Sequence, residues 1–171
     1  MNRRTLLTGL LATPLAGCGW HALYARNDDG TPGPAQIKLA QVFVPVIPER
    51  SGQLLRQALQ QRFEGTGADG PKRYTLGVTF ALAADSIGIQ PDTTASRVRL
   101  IGTASWRLAT VATPPVILRT GSARALDGYD ILNQQYFAAD FENATAVRRV
   151  ARTIAEQITE QLGAYFLAHP A

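Results

Sequence analysis

Two segments of the chain carry apolar residues at helical spacing, and each predicts an amphipathic helix. In residues 49–64 the apolar face comprises Leu54, Leu55, Ala58, Leu59 and Phe63. Gly65 and Gly67 follow this segment and are typical of a helix end. In residues 141–167 the stripe comprises Val147, Val150, Ala151, Ile154, Ile158, Leu162, Tyr165 and Phe166. Charged and amide side chains occupy the opposite face of both segments.

Four other segments favour β-strands because their apolar residues alternate or are β-branched. Residues 74–82 alternate strictly. Residues 98–108 place Val98, Leu100, Ala104, Trp106 and Leu108 on one face, and Arg97, Arg99, Thr103, Ser105 and Arg107 on the other. Residues 37–46 predict the first strand, although their alternation changes phase between Leu39 and Val42. Residues 116–125 predict the fourth, and Pro91-Asp92-Thr93 predicts a turn.

These elements indicate a single domain over residues 37–168. Two helices that each have one apolar stripe are buried most economically on one face of a small sheet. The predicted fold is therefore α+β, a two-layer sandwich of two helices packed on a four-stranded mixed sheet. Residues 18–36 predict a tether, because the prolines and glycines around 27–34 disfavour regular structure as far as Ala35.

The first 18 residues have the pattern of an export signal that ends in a cysteine. Arg3 and Arg4 precede an apolar stretch that is too short to span a membrane. Leu15-Ala16-Gly17-Cys18 then places small residues directly before the only cysteine. We expect cleavage between Gly17 and Cys18, which removes residues 1–17. The arginine pair leaves both the general and the twin-arginine export routes open.

This signal resembles the lipobox of bacterial lipoproteins, in which the cysteine sulfur takes a diacylglycerol. The resemblance implies that Cys18 is lipidated and that two or three acyl chains anchor the protein, since each buried methylene contributes roughly 0.8 kcal/mol. Gly19, where some lipoproteins carry an inner-membrane retention Asp, favours the outer membrane. The alternative is an ordinary signal peptide that leaves a free thiol on an exported protein.

Composition argues against several classes of function. Removing Arg3 and Arg4 leaves 15 basic and 13 acidic residues, a charge of +2, which is too small for a dedicated nucleic-acid binder. The two histidines, His21 and His169, lie near the two ends of the chain, so we expect neither a nucleophile–base pair nor a histidine–cysteine metal site. The acidic residues of the predicted turns and helix starts are interpreted as caps. We therefore expect no enzyme, no metal and no cofactor beyond the lipid.

Several short motifs together resemble the LPS-assembly lipoprotein LptE family. They are Cys18-Gly19-Trp20-His21 with Leu23-Tyr24, the strand at Tyr74, residues 97–108, Asp127-Gly128-Tyr129-Asp130, Tyr136-Phe137-Ala138 and the last helix. The resemblance implies a two-helix, four-strand sandwich inside the β-barrel LptD of the outer membrane. There it would plug the barrel, assist its assembly and take part in lipopolysaccharide transport to the outer leaflet.

Arg97, Arg99 and Arg107 are the candidate site residues, because arginine recognises phosphate with paired donors and these three share one strand face. They are candidates for contact with lipid A phosphates or with the barrel lumen; the alternative is a solvated sheet face. The chain lacks basic residues at Gln90-Pro91-Asp92 and Ala138-Ala139-Asp140, where relatives carry them, which favours the plug role over direct lipopolysaccharide binding. Trp106 is expected in the core, whereas Tyr129 and Tyr136 are candidates for either burial or partner contact.

Two other functions remain open at this stage. One is an auxiliary lipoprotein of a lipid-transport ABC system, which would pair the same kind of lipobox with a domain of similar size. The other is a stand-alone periplasmic module that carries a lipid by itself. Such a module would need an internal apolar cavity, whereas a plug would need a filled core.

Overall fold

The computed structural model describes residues 29–64, 70–89, 95–131 and 136–169. Within them lie three helices and four strands, in the order α1 (Pro34–Ala40), β1 (Val42–Phe43), α2 (Glu49–Glu64), β2 (Tyr74–Ile89), β3 (Ala95–Thr110), β4 (Ile117–Asp130) and α3 (Tyr136–Ala168). None of the described helices is both long and apolar enough to cross a membrane.

The four strands form one sheet in the order β1-β2-β3-β4. The short β1 runs parallel to β2, with Val42 opposite Tyr74. The other two pairings are antiparallel, with Tyr74 opposite Thr110 and Arg97 opposite Asp130. The predicted mixed sheet is confirmed, and the helices-on-sheet sandwich is the observed fold.

The core lies between one face of this sheet and helices α2 and α3. Leu55, Leu59 and Phe63 of α2 are buried there, together with Leu76 and Leu108 of the sheet. The predicted stripe of α3 is also buried there, except for Val147 and Tyr165, which are partly buried. Each large aliphatic side chain that is removed from water in this way stabilises the fold by roughly 1.5–3 kcal/mol. Gly102 of β3 allows α3 to approach closely, because a Cβ atom there would overlap the side chains of Val150 and Ile154.

The prediction of a first strand over residues 37–46 holds only for Val42–Phe43 and is wrong for residues 37–40. Residues 34–40 form helix α1, and only Val42–Phe43 of this segment is extended. Pro34 occupies the first helical turn, where its fixed φ suits a helix, and the Gln36 side chain accepts a hydrogen bond from the Gly33 N–H at 3.2 Å. Burial of Leu39 and Ala40 against the core then outweighs the strand propensity of Ile37. The phase change between Leu39 and Val42 marks the point where the helix ends.

The other differences are of length. Helix α1 begins inside the segment predicted as a tether, and Ala35 is buried. Strands β2 and β4 continue several residues past their predicted ends at 82 and 125, and α3 begins five residues before Phe141. The predicted turn at Pro91-Asp92-Thr93 lies outside the described residues, as do Gly65 and Gly67.

Candidate functional site

The sheet face opposite the helices, which we call the outer face, is largely exposed in the described part of the chain. It consists of the odd-numbered residues 97–109 of β3 and the residues opposite them on β2 and β4. Its middle carries small side chains, with Thr79, Ala81, Thr103, Ser105 and Ser122 all exposed, and one long exposed cation, Arg124, opposite Thr103. Apart from Arg124, these side chains leave the surface shallow enough for another backbone to approach closely.

The predicted arginines all lie on the outer face, but they do not form one site. Arg97 Nη1 lies 3.3 Å from Asp130 Oδ1, and Arg99 Nη2 lies 3.2 Å from Asp85 Oδ2. Arg107 is eight residues from Arg99, which in a strand is roughly 27 Å. Within the described part of the chain, Arg107 has no acidic partner. The shared face is therefore confirmed, whereas phosphate contact by these side chains stays a prediction.

Arg107 lies instead at the end of the sheet where β3 turns into β4. Arg119 flanks the other side of this turn, and the Arg73 carbonyl accepts a hydrogen bond from the Val111 N–H at 3.1 Å. All three arginine side chains are exposed and make no ion pair with any described residue. The sequence analysis did not identify Arg73 and Arg119 as candidate site residues. The uncharged run 108–118, which separates Arg107 from Arg119, could have indicated Arg119.

The free edge of β4 is partly occupied by two glutamines of α3. Gln157 accepts a hydrogen bond from the Arg124 N–H at 3.1 Å and donates one to the Arg124 carbonyl at 3.1 Å. Gln161, one turn later, donates to the Ser122 carbonyl at 3.0 Å. Unpaired edge groups invite another strand to pair, and these amides satisfy some of them. Nothing in the helical pattern distinguishes these glutamines from ordinary surface residues, so the sequence could not identify them.

A two-pronged ion pair joins α3 to β4 near the other end of the sheet. Arg149 donates to both carboxylate oxygens of Asp127, at 2.5 and 3.2 Å. Hydrogen bonding from Arg149 lowers the pKa of Asp127, and the Gly128 N–H, which donates to the same carboxylate at 2.7 Å, adds to this effect. Asp127 thus joins β4 to α3 through Arg149.

The aromatic predictions have different outcomes. Trp106 is 3% exposed and packs in the core, as expected. Its Nε1 has no hydrogen-bond partner among the described residues. Tyr129 is partly buried against the core, and the Tyr136 side chain lies outside what the structure describes.

Features that could support catalysis are sparse in the described part of the chain. No group of His, Cys, Asp and Glu that could hold a metal ion occurs among the residues described. His169 lies at the end of α3, stacked on Tyr165, with its Nδ1 2.9 Å from the Tyr165 carbonyl. An open groove of about 580 Å³ between α2 and α3 is lined by Leu54, Leu82 and Val147 together with charged residues of both signs.

The predicted lipidation site is outside the described residues. Gly17, Cys18 and Gly19 all precede residue 29, where the described part begins. The signal peptide and the lipid anchor therefore stay predictions from the sequence.

Comparison with known proteins gave one family and several similar folds. The family model for LptE, described as lipopolysaccharide-assembly, matches residues 39–162. No curated protein matches the chain significantly. A solved structure of a lipoprotein from Caulobacter crescentus CB15 shares 21% identity, with a TM-score of 0.61 over 80% of this chain and 97% of that one.

Two further solved structures have the same fold. A minor lipoprotein from Acinetobacter baumannii is 16% identical, with a TM-score of 0.57 over 73% of this chain and 92% of its own. The rare lipoprotein B from Shewanella oneidensis is 12% identical, with a TM-score of 0.54 over 74% and 95%. At these identities the likeness concerns the fold alone.

Proposed function

The chain belongs to the LptE lipopolysaccharide-assembly family, and from this premise we propose that it is a lipid-anchored outer-membrane protein that plugs the β-barrel LptD. In that position it would assist assembly of the barrel and take part in lipopolysaccharide transport to the outer leaflet. The observation that carries the proposal is the family match over residues 39–162, a range that includes all four strands, α2 and most of α3.

The N-terminal sequence supports the location. A lipobox that ends at Cys18 would leave the mature protein attached through acyl chains, and Gly19 favours the outer membrane. The similar folds are those of lipoproteins, which agrees with an anchored envelope protein. The proposed domains are a signal peptide over 1–17, a lipidated tether from 18, and the sandwich, which ends near residue 168.

The proposed barrel contact is the middle of the outer face. A barrel wall is itself a sheet, and two sheets pack face to face about 10 Å apart when the side chains between them fit. The small side chains of Thr79, Thr103, Ser105 and Ser122 suit such an approach, and their hydroxyls suit a polar lumen. Arg97 and Arg99 would lie beside this contact with their carboxylate partners.

Direct lipopolysaccharide contact through Arg97 and Arg99 is a weaker candidate than barrel contact. Each guanidinium already has a carboxylate within 3.3 Å, and a phosphate would have to displace it. We propose that the contribution to transport is made through the barrel partner and involves no catalysis and no cofactor besides the lipid on Cys18.

Co-purification tests the proposed complex. The full chain is co-expressed with the LptD-type barrel of the same genome, and the barrel is captured through an affinity tag. We expect the lipoprotein to elute with the barrel in a fixed ratio. Absence of the lipoprotein from the eluate, with both proteins present in the membrane, would overturn the proposal.

Matched variants locate the contact. Thr103→Arg places a second long cation, beside Arg124, in the middle of the outer face, and Thr153→Arg places the same side chain on an exposed position of α3. We expect the first variant to lose capture by the barrel and the second to keep it, with unchanged circular dichroism for both. Equal capture of the two variants would contradict contact through the outer face.

A further inference from the structure

The β3–β4 turn carries a cluster of exposed apolar residues that the proposed plug role does not explain. Val111, Val116 and Ile117 are 54%, 56% and 58% exposed, and Pro114 and Pro115 between them are exposed as well. We call these five residues the turn patch. Exposed apolar residues that are contiguous, rather than scattered, mark a surface that contacts something apolar.

The surroundings of the turn patch are basic. Residues 108–118 contain no charged side chain, and Arg107 and Arg119 stand immediately on either side. Arg73 is attached to the turn through the hydrogen bond from the Val111 N–H. An apolar tip that is ringed by unpaired arginines matches the depth profile of a membrane surface, where acyl chains lie beneath phosphate headgroups.

The chain enters the domain at this same end of the sheet. The Gln41 carbonyl, directly after α1, accepts hydrogen bonds from the N–H groups of Arg73 and Tyr74 at 2.9 and 3.2 Å. The seven residues of α1 span only about 10 Å. The 15 residues between Cys18 and Pro34 reach at most roughly 55 Å when extended. The anchored leaflet is therefore within reach of the turn patch.

We propose that the turn patch is a second membrane contact, which inserts into the phospholipid leaflet that holds the Cys18 lipid while Arg73, Arg107 and Arg119 bind headgroup phosphates. The contact would fix the orientation of the domain relative to the membrane, which attachment through the Cys18 lipid at a single point cannot do. This inference rests on the lipidation within the proposed function, but it does not depend on the barrel complex.

Site-directed labelling tests the contact, because the chain has only one cysteine. Ile117→Cys and Leu126→Cys introduce a probe at two residues of β4 with matched exposure, 58% and 57%, that lie roughly 30 Å apart along the strand. Each full-length lipoprotein is labelled with an environment-sensitive fluorophore and reconstituted into vesicles of phosphatidylethanolamine and phosphatidylglycerol that contain a brominated lipid. We expect the lipid to quench the Ile117 probe about threefold more than the Leu126 probe.

Four results would overturn the inference. Equal quenching at the two positions, or quenching at neither, would exclude insertion of the turn patch. If the Ile117 probe were shielded from water only when the barrel is added, and not by the vesicles alone, the turn patch would be a barrel contact. Label on the parent protein would reveal a free Cys18 thiol and would remove the anchor together with this inference, whereas failure of barrel capture alone would leave it intact.

The arginines have their own control at the far end of the sheet. In the Ile117→Cys protein, the double change Arg107→Gln and Arg119→Gln is compared with Arg97→Gln and Arg99→Gln. We expect the first pair to reduce quenching about twofold or more on anionic vesicles and the second pair to leave it unchanged. Equal effects of the two pairs would contradict headgroup binding at the turn end.

Discussion

The two ends of the sheet carry the same residue type in different surroundings. At one end, Arg97 and Arg99 each face an aspartate on a neighbouring strand. At the other end, Arg107, Arg119 and Arg73 surround an uncharged turn and have no ion-pair partner among the described residues. The first set is neutralised within the protein, and the second set remains available to an external anion. Charge count alone would not distinguish them.

The ends also differ on the inner side of the sheet. Near the turn, Leu76 and Leu108 are fully buried beneath the helices. Toward the far end, Val98 retains 8% exposure, and residues 83–87 of β2 are exposed without interruption. The hairpin of β2 and β3 therefore extends past the helical layer at the far end. The end of the sheet at the β3–β4 turn is the one that packs more completely against the helices.

Core truncations at the two ends have the largest expected effect. We expect Leu108→Ala to lower the free energy of unfolding by about 2–5 kcal/mol and Val98→Ala by roughly 1–2 kcal/mol, because Val98 loses fewer methyl groups from a looser site. Urea denaturation measures the two free energies of unfolding, which can be compared directly if the two variants have equal m-values. A larger loss of stability for Val98→Ala than for Leu108→Ala would contradict the conclusion that the turn end is the better packed of the two.

Removal of the edge amide has the next largest effect. Gln157→Ala leaves the Arg124 N–H and carbonyl without their side-chain partners, and we expect a loss of about 1–2 kcal/mol together with faster hydrogen exchange at the Arg124 amide. Gln61→Ala, at an exposed position of α2, serves as the control. Unchanged exchange at Arg124 would show that the glutamine does not protect the edge.

The Asp127–Arg149 pair makes stability depend on pH. Because the pKa of Asp127 is lowered in the folded state, its contribution is complete above the unfolded value near 3.8 and is lost as the pH falls through the folded value. We expect Asp127→Asn to cost about 0.5–1 kcal/mol at pH 7 and less at pH 3. Thermal unfolding followed from pH 7 to pH 2.5 measures this, and a cost independent of pH would contradict it.

The smallest expected effect is the coupling free energy between an arginine and its cross-strand neighbour, which we expect to differ between the two sets of arginines. A double-mutant cycle on Arg99→Gln and Asp85→Asn is expected to give a coupling free energy of about 0.2–1 kcal/mol. The matched cycle on Arg107→Gln and Thr120→Val is expected to give none. Equal coupling in both cycles would mean that the arginines at the two ends are not distinguished by their partners.

The far-end ion pairs could not be read from the sequence because they depend on register. Asp85 and Arg99 are 14 residues apart, and Arg97 and Asp130 are 33 apart. A shift of one residue in either ladder would turn one member of each pair to the other sheet face. The alternation within β3 predicted that the three arginines share a face, but it contained no information about their cross-strand neighbours.

Helix α1 could not be predicted from the sequence for a different reason, since here local propensity favoured the wrong element. Ile37 and Val42 made residues 37–46 look like a strand, because β-branched residues suit strands in general. The helix forms since Pro34 and Gln36 favour its first turn and since Ala35, Leu39 and Ala40 share one buried side. A helix of seven residues is too short for its helical periodicity to be recognised in the sequence against the strand propensity of the segment. Packing against the core therefore decides that α1 is helical.

The sequence by itself determined the helices α2 and α3, the alternating strands, the α+β class and the family resemblance, because these follow from local periodicity and short motifs. Tertiary structure alone decided which arginines are neutralised, which glutamines protect the edge of β4, and that the apolar turn lies where the chain enters the domain. Those features depend on residues far apart in the chain, and only strand register and helix packing bring them together.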